Sequence, residues 1–359
     1  MIHFHPLTVA SVRRETDDCV SIAFSIPEHL KEVFAFTPGQ SLTIRTTLNG
    51  QELRRNYSIC SSPQEGVLRV AVKKVAGGLF STWVNEALKP GDVLEVMPPV
   101  GKFNTPLNPA QAKNYVAFAA GSGITPVLSL IKSTLDTEPQ STFTLVYGNR
   151  SITSIIFREE LEAIKDRYLH RFRIYHILSR EAMDSPLNNG RINREKTLFL
   201  LEKLIDVTSS HEFFLCGPEE MIFTVRDALL EKGVAPKQIH FELFTTPGQR
   251  KPSEIQNPTS EITNSAQSQI QVKLDGRSFR FSLAHSGQSI LDAALAQGAD
   301  LPFACKGGVC CTCKALLVEG QVQMDAHWGL EQEEIDAGFI LTCQSHPVSE
   351  TVVVDFDGK

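Results

Sequence analysis

Ala304-Cys305-Lys306-Gly307-Gly308-Val309-Cys310-Cys311-Thr312-Cys313-Lys314, completed by Cys343 in Leu341-Thr342-Cys343-Gln344, is the stretch on which the reading of this chain turns. Four residues separate Cys305 from Cys310, two separate Cys310 from Cys313, and a fourth cysteine follows at a distance. That spacing holds a 2Fe-2S cluster. Iron in such a cluster is bound by soft anionic sulfur, which thiolates supply. A loop wrapped around it must bring backbone close to inorganic sulfide with no Cβ in the way. Gly307 and Gly308 meet the second demand. A structural zinc site is the alternative, but four-cysteine zinc sites usually show two compact pairs, which this chain lacks. Cys311, set between ligands, reads as a non-ligand.

Working outward, 359 residues give room for two or three domains, because single cores seldom grow much past roughly 250 residues. The remaining cysteines, Cys19, Cys60, Cys216 and Cys311, show no disulfide-like pattern and read as reduced thiols of a cytoplasmic protein. Met1-Ile2-His3-Phe4-His5-Pro6 carries no basic segment followed by an apolar run, and no apolar stretch approaches the roughly eighteen residues of a membrane span. No membrane association is expected. The net charge of −6 is confined to one end: from Ile270 onward twelve acidic residues face six basic ones, and the first 269 residues balance. An acidic segment suits steering towards a basic docking face, or is merely a solvated surface. Nucleic acid as a partner is disfavoured, since it calls for a basic stripe.

Residues 1–108 read as strands parted by turns: Leu7–Arg13, Val20–Ile26, Ser41–Thr47, Arg54–Cys60, Val67–Val75 and Val93–Met97. Asn49-Gly50 marks a hairpin, and the near absence of helix predicts a small antiparallel β-barrel. Within it stands Arg55-Asn56-Tyr57-Ser58, followed by Gly77-Gly78-Leu79-Phe80-Ser81-Thr82. An Arg can clasp a phosphate, a Tyr can lie against a flat ring and a Ser hydroxyl can reach a ring nitrogen. Gly77 and Gly78 ahead of a helical pattern would offer amides to a diphosphate. Arg-x-Tyr-Ser taken alone reads equally as a strand with a surface Arg and a packed Tyr.

Residues 109–246 alternate strand and helix patterns, which predicts a doubly wound parallel α/β sheet. Asn114–Ala120 is an apolar strand that runs into Gly121-Ser122-Gly123-Ile124-Thr125-Pro126 and then a helix, the unit in which a dinucleotide phosphate meets a helix N-terminus. The second strand ends in Tyr147-Gly148-Asn149-Arg150, where an acidic residue would favour an unphosphorylated ribose. The charged residue there is basic. Arg150, with Arg180, therefore points to NADPH in preference to NADH, unless Arg150 is a solvated residue at a helix start. Cys216-Gly217-Pro218 would lie at the mouth of the sheet, although Cys216 also reads as an ordinary buried thiol.

In this order the motifs resemble the ferredoxin-NADP reductase superfamily. With a plant-type ferredoxin at the C-terminal end they resemble its oxygenase-reductase branch, most closely the reductase components of phenylacetyl-CoA epoxidases. Leu53 to Cys60, Tyr147 to Arg150, Cys305 to Lys314 and Val352 to Asp357 carry the likeness across nearly the whole chain. The resemblance implies that Arg55, Tyr57 and Ser58 hold FAD and that Gly77, Gly78 and Ser81 serve its diphosphate. It implies that Gly121, Gly123, Thr125, Arg150, Arg180 and Cys216 face the nicotinamide nucleotide and that Glu242 and Phe244 lie near the flavin. Ser58, Cys216 and Glu242 are then the catalytic candidates, with Cys305, Cys310, Cys313 and Cys343 on the cluster. The implied activity passes electrons from NADPH through FAD and the 2Fe-2S cluster to a di-iron oxygenase. Other readings are the reductase of another multicomponent oxygenase, a ferredoxin-type carrier without nicotinamide turnover, or a zinc-bearing interaction protein.

Residues 247–269, rich in Pro, Ser, Thr, Asn and Gln, read as a flexible linker. Residues 270–359 are expected to form an α+β, β-grasp-like ferredoxin domain. Its signs are a hairpin at Asp275-Gly276, a short helix over Ser289–Gln297 and strands at Leu316–Val318 and Val352–Val354.

Overall fold

A computed structural model of the chain describes residues 3–244 and 267–358. They fall into two compact units, residues 3–244 and a C-terminal unit whose described part begins at Gln267. The expected linker lies outside the described residues except for Gln267, Ser268 and Gln269, which already belong to a strand.

The first unit opens with β1 (His5–Thr16), β2 (Cys19–Ser25), β3 (Ser41–Leu48), β4 (Gln51–Ser58), β5 (Leu68–Lys73) and β6 (Val93–Val96), with helix α1 (Leu79–Glu86) between the last two. The strand order is β4-β3-β6-β1-β2-β5, and every neighbouring pair is antiparallel. Ile59, one residue past β4, bridges Val70 on β5 and joins the two ends of the sheet into the expected barrel. Alternate residues such as Val20, Ile22 and Phe24 fill its interior, as the period of two in a strand requires. At the β3–β4 turn Asn49 and Gly50 both hold positive φ, 52° and 75°, which matches the hairpin twist.

The parallel sheet follows, built from β7 (Asn114–Ala120), β8 (Thr142–Asn149), β9 (Phe172–Leu178), β10 (Glu212–Gly217) and β11 (Ile239–Leu243). Helices α2 (Ile124–Thr137), α3 (Arg158–Arg167), α4 (Arg194–Lys203) and α5 (Glu219–Glu231) connect them. The order β11-β10-β7-β8-β9 means that the chain runs outward from β7 to β9 and then returns to lay β10 and β11 on the other side. Connections leave β7 and β10 in opposite directions, and between their carboxyl ends opens the crevice where open α/β sheets bind ligands.

In the C-terminal unit, β12 (Gln267–Leu274), β13 (Arg277–Ala284), β14 (Lys314–Glu319), β16 (Phe339–Leu341) and β18 (Thr351–Asp355) make a mixed sheet in the order β13-β12-β18-β14-β16. Strands β15 (Val322–Met324) and β17 (Ser345–Pro347) pair separately. Helix α6 (Ile290–Ala296) packs on the sheet through Ile290, Leu291, Ala293 and Ala294, and a second short helix, α7 (Gln332–Asp336), precedes β16. Ser289 caps α6 by accepting from the Asp292 amide. Asp275 and Gly276 repeat the positive-φ hairpin turn, and Asp357 near the end of the chain accepts from both of their amides.

Helix α2 holds the barrel against the parallel sheet. Every residue from Ile124 to Leu135 is buried, including Lys132 at 7% exposure. Its apolar side chains share one core with Cys19, Cys60 and Ala71 of the barrel. Ser129 donates to the Ser61 carbonyl at 2.6 Å, Lys132 reaches Glu65 at 2.6 Å and also bonds Glu160, and Arg69 of β5 clasps Glu160 at 2.7 and 2.9 Å. Burial alone would raise the Glu160 carboxyl, but Lys132 and Arg69 together hold it below its ordinary value. The network shows in the sequence only as a lone lysine in an apolar helical run. Lys132→Met should lower the denaturant midpoint of this unit with an unchanged slope, costing about 1–3 kcal/mol, as expected for hydrogen bonds to charged groups. Since Glu160 titrates below its ordinary value of 4.5, the network's contribution is complete above that pH and is lost as the pH falls below it. A midpoint that Lys132→Met leaves in place would show that the apolar seam alone joins the two sheets.

Candidate functional site

The sequence motifs of the first unit converge on the crevice. Cys216 sits on β10 opposite Ala119 of β7 on one side and Glu242 of β11 on the other. Ser58, the last residue of β4, donates its hydroxyl to Glu242 Oε2 at 2.9 Å, although the two lie 184 positions apart in sequence. Burial pushes the Glu242 carboxyl up to about 7, with the Ser58 hydrogen bond acting in the opposite direction. Burial also drives the Cys216 thiol well above its ordinary value, and the Glu242 charge adds to the effect. Cys216 in this state is a neutral, apolar contact and no nucleophile. Phe244, just beyond β11, is 42% exposed.

The glycine turn is pressed against this pair. A Cβ on Gly123 would fall within the Cys216 carbonyl, so only glycine permits α2 to start where it does. Gly121 holds φ +54°, and its carbonyl accepts from Tyr147 Oη on β8 at 2.9 Å. Thr125 is buried and spends its hydroxyl on the Ser122 carbonyl at 3.0 Å, so it shapes the turn with the group expected to face a ligand. At the end of β8 the Arg180 amide bonds the Arg150 carbonyl at 2.8 Å, which places the two residues side by side. Both are exposed, and neither guanidinium forms an ion pair among the described residues. The Asn149 Nδ2 next to them is buried without a partner.

On the barrel, Tyr57 stacks on Phe80 of α1 with ring centroids 5.7 Å apart, which links the ring platform to the glycine loop that starts α1. Arg55 is half-buried, and its guanidinium donates to the Arg54 carbonyl at 2.8 Å. Gly77 has φ +73° with open space where a Cβ would stand, and Gly78 is the N-cap of α1. Ser81 Oγ accepts from the Val75 amide at 3.1 Å and donates to the Gly78 carbonyl at 3.3 Å, so it too shapes its loop. These groups fit a flavin dinucleotide: a cation for phosphate, open amides for diphosphate, and a half-buried aromatic platform beside a polar Ser58–Glu242 pair.

In the C-terminal unit the loop before β14 gathers the cysteines into two pairs. Cys305 and Cys310 interact through their thiols, and so do Cys313 and Cys343. The Cys310 thiol is the first cause that draws Cys305 down, and backbone amides of Gly307, Val309 and Cys310 assist; the Gly307 amide donates to Cys305 Sγ at 3.3 Å. Among the described residues no three His, Cys, Asp or Glu side chains converge as a single metal ion requires. Thr342 ties the distant cysteine in, since its amide and hydroxyl both donate to the Cys313 carbonyl, at 3.2 and 3.0 Å. Gln344 Nε2 reaches the Lys306 carbonyl at 2.9 Å. Gly308, at φ +74°, lies where a Cβ would stand 2.7 Å from the Ala326 oxygen. Cys311 has φ +54° and donates its thiol to the Gly329 carbonyl at 2.6 Å.

Comparison with known proteins follows the same division. The family described as oxidoreductase FAD-binding domain matches residues 6–105, the oxidoreductase NAD-binding domain matches 118–227, and the 2Fe-2S iron-sulfur cluster binding domain matches 272–348. The chain is 46% identical over 361 aligned residues to a component protein of the 1,2-phenylacetyl-CoA epoxidase of Escherichia coli K12, covering 100% of this chain and 99% of the relative. It is 35% identical to the ferredoxin reductase component of 3-ketosteroid-9-alpha-monooxygenase from Rhodococcus rhodochrous, covering 98% of this chain and 96% of the relative. Among solved structures, phthalate dioxygenase reductase, described as a modular structure for electron transfer from pyridine nucleotides to [2Fe-2S], covers 98% of both chains at 25% identity with a TM-score of 0.60. Among the described residues, no helix is long and apolar enough to cross a membrane. The crevice, the barrel face and the paired cysteines thus agree with the relatives: the chain belongs to the ferredoxin-NADP reductase superfamily, in the branch of oxygenase reductases that end in a 2Fe-2S ferredoxin domain.

Proposed function

We propose that this oxidoreductase draws electrons from NADPH and passes them through FAD and the 2Fe-2S cluster to a di-iron oxygenase that acts on an aromatic acyl-CoA, in the cytoplasm. The observation that carries the first half is the Ser58–Glu242 contact beside Cys216 at the mouth of the sheet. The acceptor rests on the likeness to the epoxidase component, which spans the whole chain. The reductases of the ketosteroid and glycine betaine monooxygenases are less similar. The flavin, when bound, supplies the exchange between a two-electron nicotinamide and a one-electron iron–sulfur carrier.

The chain's own residues bind, orient and hold protons. Arg55 and the amides following Gly77 would take the phosphates, and Tyr57, braced by Phe80, would lie against the flat ring. Ser58, hydrogen-bonded to Glu242, would present its hydroxyl to the flavin ring. Cys216, neutral and fully buried, would back the place where a nicotinamide sits, and Phe244 stands at the exposed side. Position supplies most of the rate in such a site. Cys305, Cys310, Cys313 and Cys343 would hold the cluster as two pairs. Arg150 and Arg180, adjacent and without ion-pair partners among the described residues, favour a ribose phosphate.

The nucleotide preference is read from steady-state kcat/KM for NADPH and NADH. Arg150→Ala should weaken NADPH use by roughly tenfold or more, as loss of a charge-assisted contact requires, and leave NADH nearly unchanged. Equal preference in both proteins would refute the assignment. Glu242 gives a second expected outcome. Above pH 7 its carboxylate would set a negative charge against the uptake of electrons by a bound flavin. Flavin reduction measured in a single turnover should therefore slow as the pH rises through about 7. Glu242→Gln should flatten that profile. A profile that keeps its shape in the variant would assign the titration to another group.

A further inference from the structure

Where β8 and β9 end, the segments that leave them stay bonded: the Ser179 amide donates to the Asn149 carbonyl at 2.9 Å and the Arg180 amide to the Arg150 carbonyl at 2.8 Å. Arg150 then opens a tight turn. The Ser154 hydroxyl accepts from the Arg150 and Ser151 amides at 3.2 and 3.0 Å and donates to the Ser151 carbonyl at 2.8 Å. Ile152 begins the 3-10 turn Ile152–Ser154, and its amide, like the first amides of any helix, finds no acceptor within the turn. Glu181 supplies one from the neighbouring segment: its Oε2 accepts from the Ile152 amide at 2.7 Å, across 29 positions of sequence. The carboxylate next to Arg180 therefore holds the turn that starts at Arg150.

We infer that Glu181 is a positioning residue for nucleotide choice, which clamps this turn and so keeps Arg150 beside Arg180, ready for the ribose phosphate of NADPH. The inference rests on the reading of those two arginines as the phosphate site. Two roles for the carboxylate differ in sign. As a bare negative charge beside two arginines it would repel a phosphate, and its removal would tighten NADPH. As a clamp it spares the bound phosphate the entropy of ordering a loose turn, and its removal weakens NADPH. The short bond to a backbone amide favours the clamp, because a carboxylate held in this way has part of its charge answered locally. NADH carries no phosphate on that ribose and gains nothing from the clamp.

The test is steady-state kinetics of the full-length protein with NADPH and with NADH, ferricyanide accepting the electrons, for the parent, Glu181→Ala, Glu181→Gln and Arg150→Ala. Glu181→Ala should raise the KM for NADPH about fivefold, the factor for a turn in place about a fifth of the time. Its kcat should hardly change, since the ribose phosphate is remote from the transferred hydride and is bound alike in ground and transition state. NADH should be used as by the parent, and Glu181→Gln, which keeps an oxygen for the Ile152 amide, should also match the parent. Added to Arg150→Ala, Glu181→Ala should change nothing further, because the clamp acts through Arg150. A KM for NADPH that stays or falls in Glu181→Ala would overturn the inference. So would equal losses with both nucleotides, which would make the clamp a support of the whole sheet. An Arg150→Ala protein that uses NADPH as the parent does would overturn the phosphate reading, and the inference with it, so the two failures are told apart.

Discussion

The hydrogen bond from Ser58 to Glu242 is the contact on which the first unit depends, because it ties the end of a barrel strand to the end of a parallel strand. One partner belongs to the face that would carry a flavin, the other to the crevice that would admit a nicotinamide. For them to meet, the barrel and the sheet must be held at fixed distance, and α2 does this with a helix buried on every side. The Lys132, Glu160, Arg69 and Glu65 network fixes the register between the two, and the apolar seam around Cys19, Cys60 and Ala71 supplies the burial. The close approach of Gly123 to the Cys216 carbonyl holds the glycine turn against the end of β10. Local backbone chemistry, interdomain electrostatics and the reacting geometry are therefore one problem in this unit.

The C-terminal unit meets a different constraint. Four thiols must be brought together from a loop and from a turn thirty residues further on. Thr342 and Gln344 bind the turn to the loop, and glycines at 308 and 329 allow the covering segment to come close. The excess negative charge of the chain lies on this unit, Glu331, Glu333 and Asp336 among its carriers. That distribution suits a basic face on the partner, with attraction that weakens as salt rises.

Much of this architecture was legible in the sequence because its signals are local. The strand Asn114–Ala120 and the hairpins at Asn49-Gly50 and Asp275-Gly276 follow from apolar patterning and turn chemistry alone. The cysteine spacing carried the cluster reading for the same reason. What escaped was long-range or spent inward. Nothing in the sequence pairs Lys132 with Glu160 and Glu65, or Tyr147 with the Gly121 carbonyl, since those bonds exist only once segments far apart in the chain have packed. Thr125 and Ser81 lie in the expected motifs, yet their hydroxyls hold their own loops. A motif shows which residues gather at a site, and only the fold shows which of their atoms remain to act.

The most direct test of the relay is anaerobic addition of NADPH to the purified full-length protein, with visible absorbance and EPR followed together. The account predicts that flavin absorbance bleaches and that the signal of a reduced 2Fe-2S cluster appears on the same protein. Bleaching that never yields a cluster signal, in protein shown to contain iron and acid-labile sulfide, would contradict it.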